Sequence, residues 1–371
     1  MPVNLSCFMI NRCRGQCEVL IHMSYSVQQV DIFDYKEVLT SLWERNFQSE
    51  FVSRFSWIYE KNSNGIPVVY CLKYEESDSF VGAIALFPRI ICINGEKIDA
   101  YICGDLVVDS QHRSLGPAII LFKAAIKKCR EDAPCILLTF PNEKSGPVVR
   151  RVGFKVFGEY CEMTKVTKTY KFILKYMSLP AIAYPLSLVL DWLLFLRYDV
   201  FPFLTIKRCT FQVVSEFDER FDDLWDRVAK HFDFIGDRSC RYLRWRIKES
   251  PYGEYEIFVL MARKSKKILG YVACSVVDKS VKIIDIAFDE DLVKLSHLFF
   301  MFIKYQKGQN INNMTIGIGA NNSLINLFKK RGFWMRCTLG KVMIYSASND
   351  ANLIKNISEG KWYLTSVDND I

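Results

Sequence analysis

A chain of 371 residues, half of them hydrophobic, carries enough apolar material for two packed domains. Its 49 basic and 41 acidic side chains leave a net charge of +8, but the signs are interspersed, which argues against nucleic acid as a partner. Thirteen cysteines, an odd number spread through predicted strands and helices with no secretion signal, argue against a disulfide framework and for a reducing cytoplasm.

Cys7, Cys13 and Cys17 cluster without a nearby histidine or a paired CxxC, so no metal site is expected. Residues 1–22 differ in texture from the rest of the chain, and Met23 stands as an alternative start, so 1–22 are set apart as an N-terminal extension. From Met23 the chain runs into a strand and then a helix over 38–47. Residues 51–61 hold Phe55, Trp57 and Tyr59, which read as core aromatics. Residues 66–74 and 80–93 are apolar or alternating runs between turn signals such as Asn64-Gly65 and Asn94-Gly95, the pattern of successive antiparallel strands.

Residues 101–108 (YICGDLVV) form the next strand, interrupted in composition only by Gly104 and Asp105. A polar run from Asp109 ends at Gly116. Pro117 comes next, where a helix tolerates proline because that N–H has no intrahelical partner. Residues 118–129 then show a broad apolar face opposite Lys123, Lys127 and Lys128. Strand, glycine-containing loop and helix start make an anion site, because free backbone N–H groups and the positive end of the helix dipole converge there. Residues 135–140 read as a buried strand.

Residues 166–210 form an apolar linker, with its densest run at 179–203 (LPAIAYPLSLVLDWLLFLRYDVFPF). Pro180, Pro185 and the mid-run Asp191 argue against a membrane span, and the charge-free stretch is short for one. A helix buried between two domains is the expectation, with a peripheral anchor at the inner face of a membrane as the alternative.

Residues 211–371 repeat 23–165 in outline. Leu269-Gly270-Tyr271 matches Val81-Gly82-Ala83, Asp285 in its strand matches Asp105, and ANNSLINLFKKRGF (320–333) parallels PNEKSGPVVRRVGF (141–154). Asn321 precedes Gly332 by the interval that separates Asn142 from Gly153. The repeat degenerates after residue 288, where Asp289, Glu290 and Asp291 replace the glycine loop; by charge alone they should repel an anionic cofactor.

The pair RSLGPA (113–118) after one strand and NEKSGPVVRRVGF (142–154) after the next resembles two ordered motifs of the GNAT superfamily of acyl-CoA N-acyltransferases. The resemblance implies an α/β fold with a mixed sheet, here as two tandem GNAT-like domains, the second degenerate. It implies acetyl-CoA or another acyl-CoA as cofactor, held by Val107, Val108, Gln111, His112, Arg113, Ser114, Leu115, Gly116, Pro117 and Ala118, with Asn142 and Ser145 from the second motif. Val107 or Val108 would present the oxyanion amide. Asp105 would be the general base, set against the plainer account that it pairs with a cation. The tyrosine that many members place four residues before the Gly-Phe pair is Val149 here.

Across the whole chain, FDDLWDRVAKHFDFIGDRSCRYLRWRIKESP (221–251) and the terminal WYLTSVDND are similar to two-domain GNAT-like proteins of exopolysaccharide synthesis. That likeness implies an amine acceptor on a nucleotide- or lipid-linked amino sugar. Arg241, Arg244 and Trp245 are the candidates to grip it, against an account in which these arginines pair with Asp218, Glu219, Asp222 and Asp223. Two rivals stay open: a FemAB-like aminoacyl transferase, and a non-catalytic module that binds CoA or a synthase partner.

Overall fold

The computed structural model describes residues 3–9, 21–47, 51–177, 179–198, 209–290, 295–308, 311–347 and 351–369. Cys13, Cys17, Asp291 and the end of the apolar run beyond Tyr198 lie outside them. The first half runs β2 (Ile21–Val30), α1 (Lys36–Glu44), α2 (Phe51–Phe55) with a π-helical turn (Ser56–Glu60), then β3 (Val68–Tyr74), β4 (Ser79–Ile93) and β5 (Glu96–Val108). It continues with α3 (Leu115–Glu131), β6 (Ile136–Thr139), α4 (Gly146–Arg151) and β7 (Lys155–Val166). Within the stretch 1–22, β1 (Val3–Met9) pairs antiparallel with β2, from Val3 opposite Val27 to Met9 opposite Ile21.

Alternation of side chains along β4 divides two cores. Ala83, Ala85 and Phe87 pack with Leu39, Leu42 and Phe55 of α1 and α2. Ile84 and Leu86 face the opposite way, onto Leu121, Ala125 and Cys129 of α3. Helix α3 starts at Leu115 rather than 118, so Gly116 and Pro117 occupy its first turn, where N–H groups have no intrahelical acceptor.

The second half repeats the order: β8 (Cys209–Val214), α7 (Arg220–Val228), β9 (Phe234–Gly236), α8 (Cys240–Leu243) with a π-helical turn (Arg244–Lys248), β10 (Glu256–Ala262), β11 (Ile268–Val277) and β12 (Ser280–Phe288). Then come α9 (Leu295–Gly308), β13 (Asn313–Ala320), α10 (Asn322–Lys329), β14 (Trp334–Ser346), α11 (Ala351–Glu359) and β15 (Trp362–Thr365).

The correspondence reaches individual bonds. Gly82 sits opposite Val108 and Gly270 opposite Phe288. At both glycines an added Cβ would press on the neighbouring strand's carbonyl, 2.8 Å from the Val107 oxygen or 2.9 Å from that of Ala287. Gly153 and Gly332 both end their helices with positive φ, 106° and 82°. The next residue closes each stop: Phe154 N–H donates to Val149 O and Phe333 N–H to Phe328 O.

The halves are not separate bodies. Strand β14 of the second half lies between β6 and β7 of the first, and β7 in turn pairs with β13, so one sheet runs through both. At the junction the two π-helical turns meet reciprocally. Trp57 Nε1 donates to Trp245 O (2.8 Å) and Trp245 Nε1 donates to Trp57 O (3.0 Å).

The linker differs most from expectation. It folds as α5 (Tyr170–Tyr176) and α6 (Pro180–Tyr198), and α6 is not buried between domains. Only Ala183 and Ser187 of α6 are buried.

Candidate functional site

Strands β5 and β6 pair in parallel only from Ala100 opposite Ile136 to Ile102 opposite Leu138, and then part. Two local features mark the point of parting. On the β4 side, Gly104 sits opposite Ala85 while Val107 sits opposite Ala83, so β5 carries one extra residue across Asp105 and Leu106. Asp105 takes φ 51°, in the left-handed region that aspartate tolerates better than most residues. On the β6 side, the Thr139 hydroxyl donates to Cys103 O (3.1 Å) as β6 ends.

The opening is a cleft of about 410 Å³. Trp43, Phe47, Leu106, Phe122 and Phe140 supply its apolar wall, and Arg54, Asp105, Thr139, Asn142, Ser145 and Tyr252 its polar groups. Of the sequence candidates, Asp105, Asn142 and Ser145 therefore come together here. Asn142 Oδ1 accepts from the Lys144 and Ser145 N–H groups, both at 3.0 Å, and from the Ser145 hydroxyl at 3.2 Å. This turn sets the start of α4. Phe122 belongs to α3, whose first turn holds Leu115, Gly116, Pro117 and Ala118 behind Ser114. Val107 is buried on β5 and Val108 is the next residue along it.

Asp105 is not a free carboxylate. Both its oxygens are engaged by the guanidinium of Arg54, one through Nη2 at 2.5 Å and the other through Nη1, and the Tyr59 hydroxyl adds a bond at 2.7 Å. Burial works against the charge of Arg54, but the Asp105 carboxylate outweighs it and holds the guanidinium above its ordinary range. Burial, with Asp105 second, raises the Tyr59 phenol well above its usual value. The expectation of pairing with a cation is the geometry observed, while Asp105 still lines the cleft.

The loop between β5 and α3 departs further from its expected use. Arg113 turns back, with Nε donating to Val108 O (2.9 Å) and Nη2 to Asn46 Oδ1 (2.7 Å), so its guanidinium ties the loop to α1 instead of reaching for phosphate. Gln111 and His112 line a different cavity, between α1 and the turn at Ser77 and Ser79. His112 is half-buried there: its Nδ1 lies 3.0 Å from the Tyr25 hydroxyl, and its ring packs against Tyr74. Val149 is fully buried in the core, so a tyrosine at that place would overpack it and not reach the cleft.

The cluster at 238–246 does not form one binding face. Arg241 and Arg244 are exposed, while Trp245 is buried against Trp57. Arg244 acts on Asp218 only through its charge, without a direct bond among the described residues. Arg244 Nε donates to Phe217 O (3.0 Å), and Asp218 pairs with Arg220 at 2.6 Å. What the second half does give the cleft is Tyr252, four residues past the π-helical turn, set edge-on to Trp57 with centroids 5.8 Å apart. Burial raises its phenol, with Arg54 opposing and Asp105 reinforcing. Sequence reasoning missed Tyr252, Arg54, Trp43 and Phe47. Trp43 and Phe47 read only as part of a helix over 38–47, and no sequence signal tied Tyr252 to a cleft in the other half.

The matching opening in the second half is filled. Strands β12 and β13 pair from Ser280 to Ile283 and then diverge, but β15 lies in the gap, pairing with β13. The Tyr363 hydroxyl donates to Ile286 O on β12, and the Thr365 hydroxyl to Asp285 Oδ1 at 2.6 Å. Asp285, the counterpart of Asp105, is fully buried and ion-paired with Arg238 (3.0 Å). The acids after β12 do not act through charge as expected. Asp289 is paired with Arg227 (2.6 Å), and Glu290 with Lys361 (2.5 Å). Arg227 also donates to Ile268 O, just as Arg45 holds both Asp109 and Phe80 O in the first half. Asp289 is thus the repeat of Asp109, a structural clamp.

Comparison with known proteins agrees with this geometry. Residues 27–157 match the model of the acetyltransferase (GNAT) domain. No curated protein matches in sequence. Among solved structures, a probable N-acyltransferase of unknown function from Enterococcus faecalis is similar at TM-score 0.65 and 15% identity, over 88% of this chain and 73% of that one. A GCN5-related N-acetyltransferase from Anabaena variabilis is similar at TM-score 0.61 and 14% identity, over 87% and 73%. N-myristoyltransferase from Saccharomyces cerevisiae with bound myristoyl-CoA is similar at TM-score 0.53 and 12% identity, over 90% and 85%.

Proposed function

We propose that this chain, which carries a GNAT-type acyltransferase domain over residues 27–157, moves an acyl group from acyl-CoA to an amine in the cleft between β5 and β6. The observation that carries the reading is the asymmetry of the repeat: the first opening is a cleft that α3 borders at Phe122, whereas β15 fills the second. CoA would lie with its pyrophosphate against the first-turn amides of α3 at Leu115 and Gly116. Its thioester would enter between the parted strands. Beyond Ile102 the β6 side of β5 has no strand partner, so the amide of Val107 or Val108 would hold the developing oxyanion.

We assign Asp105 to position Arg54 and Tyr59. Tyr252, whose phenol burial raises, is assigned to donate a proton to the departing thiolate, and its phenolate then takes back the proton that the amine sheds as the amide bond forms. The acceptor we favour is an amino sugar on a nucleotide or lipid carrier of a surface-polysaccharide precursor, and the place of action is the cytoplasm.

The test is thiol release from acetyl-CoA and longer acyl-CoAs with amino sugars as acceptors, alongside calorimetric titration of CoA. Gly116→Glu, which adds bulk and negative charge at the proposed pyrophosphate site, should abolish CoA binding in a folded protein. Undiminished affinity would refute the site. The fully engaged Asp105 favours a second reading, a module that binds CoA without turnover. CoA binding with no thiol release from any acyl-CoA and amine pair would support that reading.

A further inference from the structure

Helix α6 is amphipathic in the inverted sense. At about 100° per residue, Ala183, Ser187, Asp191, Leu194 and Tyr198 fall on one side, and this is the side that meets the protein. Asp191 Oδ1 accepts from the Thr169 hydroxyl and N–H, both at 2.8 Å, and the Thr169 hydroxyl also reaches Ser187 O. Leu194 and Tyr198 border the groove against Phe333 and Trp334, and Tyr198 O accepts from Arg331 (3.4 Å). The helix is therefore tied down along the surface at its middle and its C-terminal end, with Ser187 and Asp191 turned inward.

Outward it shows apolar side chains. Ile182, Leu186, Leu188, Val189, Leu190, Trp192, Leu193 and Leu196 are all exposed. They sweep about 200° of the circumference. Phe172 and Tyr176 of α5 and Trp334 of β14 extend the surface. A soluble helix places its apolar stripe against the core and its polar face in water, and large exposed apolar patches mark interaction sites.

We propose that α5 and α6 dock this protein on an anionic lipid bilayer, with α6 lying in the plane of the interface. Three observations favour lipid over a protein partner. The apolar arc is far wider than the narrow seam that a packed partner helix covers. Between residues 165 and 198 there are five basic side chains and a single acid, and that acid, Asp191, faces inward. Lys171, Lys175 and Arg197 are exposed beside the apolar face, where they would meet lipid phosphates. Tyr176, Tyr184 and Trp192 are exposed as well, and such rings favour the headgroup level. Length and composition alone would let α6 cross a membrane, but fastening at Asp191 and Tyr198 lays it along the body, so it lies in the interface and does not span.

The test is co-sedimentation of the full chain with phosphatidylcholine vesicles, with and without phosphatidylglycerol. Binding to the anionic vesicles is expected, falling as salt is raised. Leu188→Glu with Leu193→Glu changes two residues that are 51% and 48% exposed, so folding should survive, and vesicle binding should be lost. Lys171→Gln with Lys175→Gln should weaken anionic-vesicle binding about ten- to thirty-fold and leave neutral-vesicle binding unchanged. Trp192→Phe should remove most of the lipid-induced blue shift in tryptophan emission. No sedimentation with either vesicle, or full binding by the double glutamate variant, overturns the proposal. So does a lipid-free dimer that the glutamates dissociate, since a second copy would then cover the face.

Discussion

Asp105→Asn separates a structural ion pair from a catalytic base. Asparagine matches aspartate in size and also tolerates the left-handed φ of 51°, so the exchange removes charge and little else. The side chains of Arg54 and Asp105 are only 10% and 7% exposed. Removing one partner of a buried pair costs about 3–5 kcal/mol, because the other charge is left uncompensated. For 371 residues the unfolding entropy near the midpoint is about 0.8 kcal/mol/K, so Tm should drop by about 4–6 °C. Arg54→Met in the same chain removes the stranded charge, and the double variant should recover a large part of that loss. The assay is thermal denaturation of the parent, both single variants and the double variant, with thiol release measured well below each midpoint. A Tm within about 1 °C of the parent, together with a rate loss of about 10²–10⁴-fold, would refute the positioning role and return Asp105 to service as the base.

Calorimetric titration should give one CoA equivalent per chain; two would show that β15 does not close the second opening. Gly158→Ala would bring a Cβ to 2.2 Å from Trp362 Cζ2, so it should cost about 1–3 kcal/mol and speed proteolysis of the C-terminal segment. An unchanged urea midpoint would contradict this. Tyr252→Phe should lower kcat about 10²–10⁴-fold while leaving KM for acyl-CoA near the parent value. Because burial raises the Tyr252 phenol above its ordinary range, its acid form persists across the neutral range, and the parent's kcat should show no alkaline loss from this group there. A Tyr252-dependent limb near neutrality would refute the assignment.

What the sequence made legible was what short-range chemistry decides. The helix-stopping glycines Gly153 and Gly332, the Asn142 and Asn321 starts, and the close-approach glycines Gly82 and Gly270 each answer a local backbone requirement, so the duplication and the mixed α/β fold could be read from them. The exchange of β7 and β14 could not be, because it depends on which distant strand fills a gap, and either order satisfies the same alternation. Helix α6 departs from expectation for a related reason: an apolar run states what it avoids, not which neighbour covers it. Ser187 and Asp191 carried the signal, since two polar residues at i and i+4 in an apolar helix mark one face as different. In the site, Asp105 and Asn142 sat in recognisable motifs, whereas Arg54 lay within an aromatic run and Tyr252 came from the other half.

The asymmetry between the halves has a physical origin other than charge. Both halves have the acid on the strand, the arginine beside it and the clamp that joins loop to helix. The second half also carries β15, whose Trp362 lies so close to Gly158 and Gly319 that an added Cβ would meet it at 2.2 Å and 3.0 Å. Filling the gap also paired the strand edges that a cleft leaves open, with Tyr363 and Thr365 satisfying β12 directly. In the first half the β5–β6 ladder stops at Ile102, with the Thr139 hydroxyl bond to Cys103 O beyond it, and the cleft opens there. One half is therefore braced and the other receptive. The reciprocal Trp57 and Trp245 bonds fasten the receptive half to the braced one beside Tyr252, where the second half reaches into the first half's cleft.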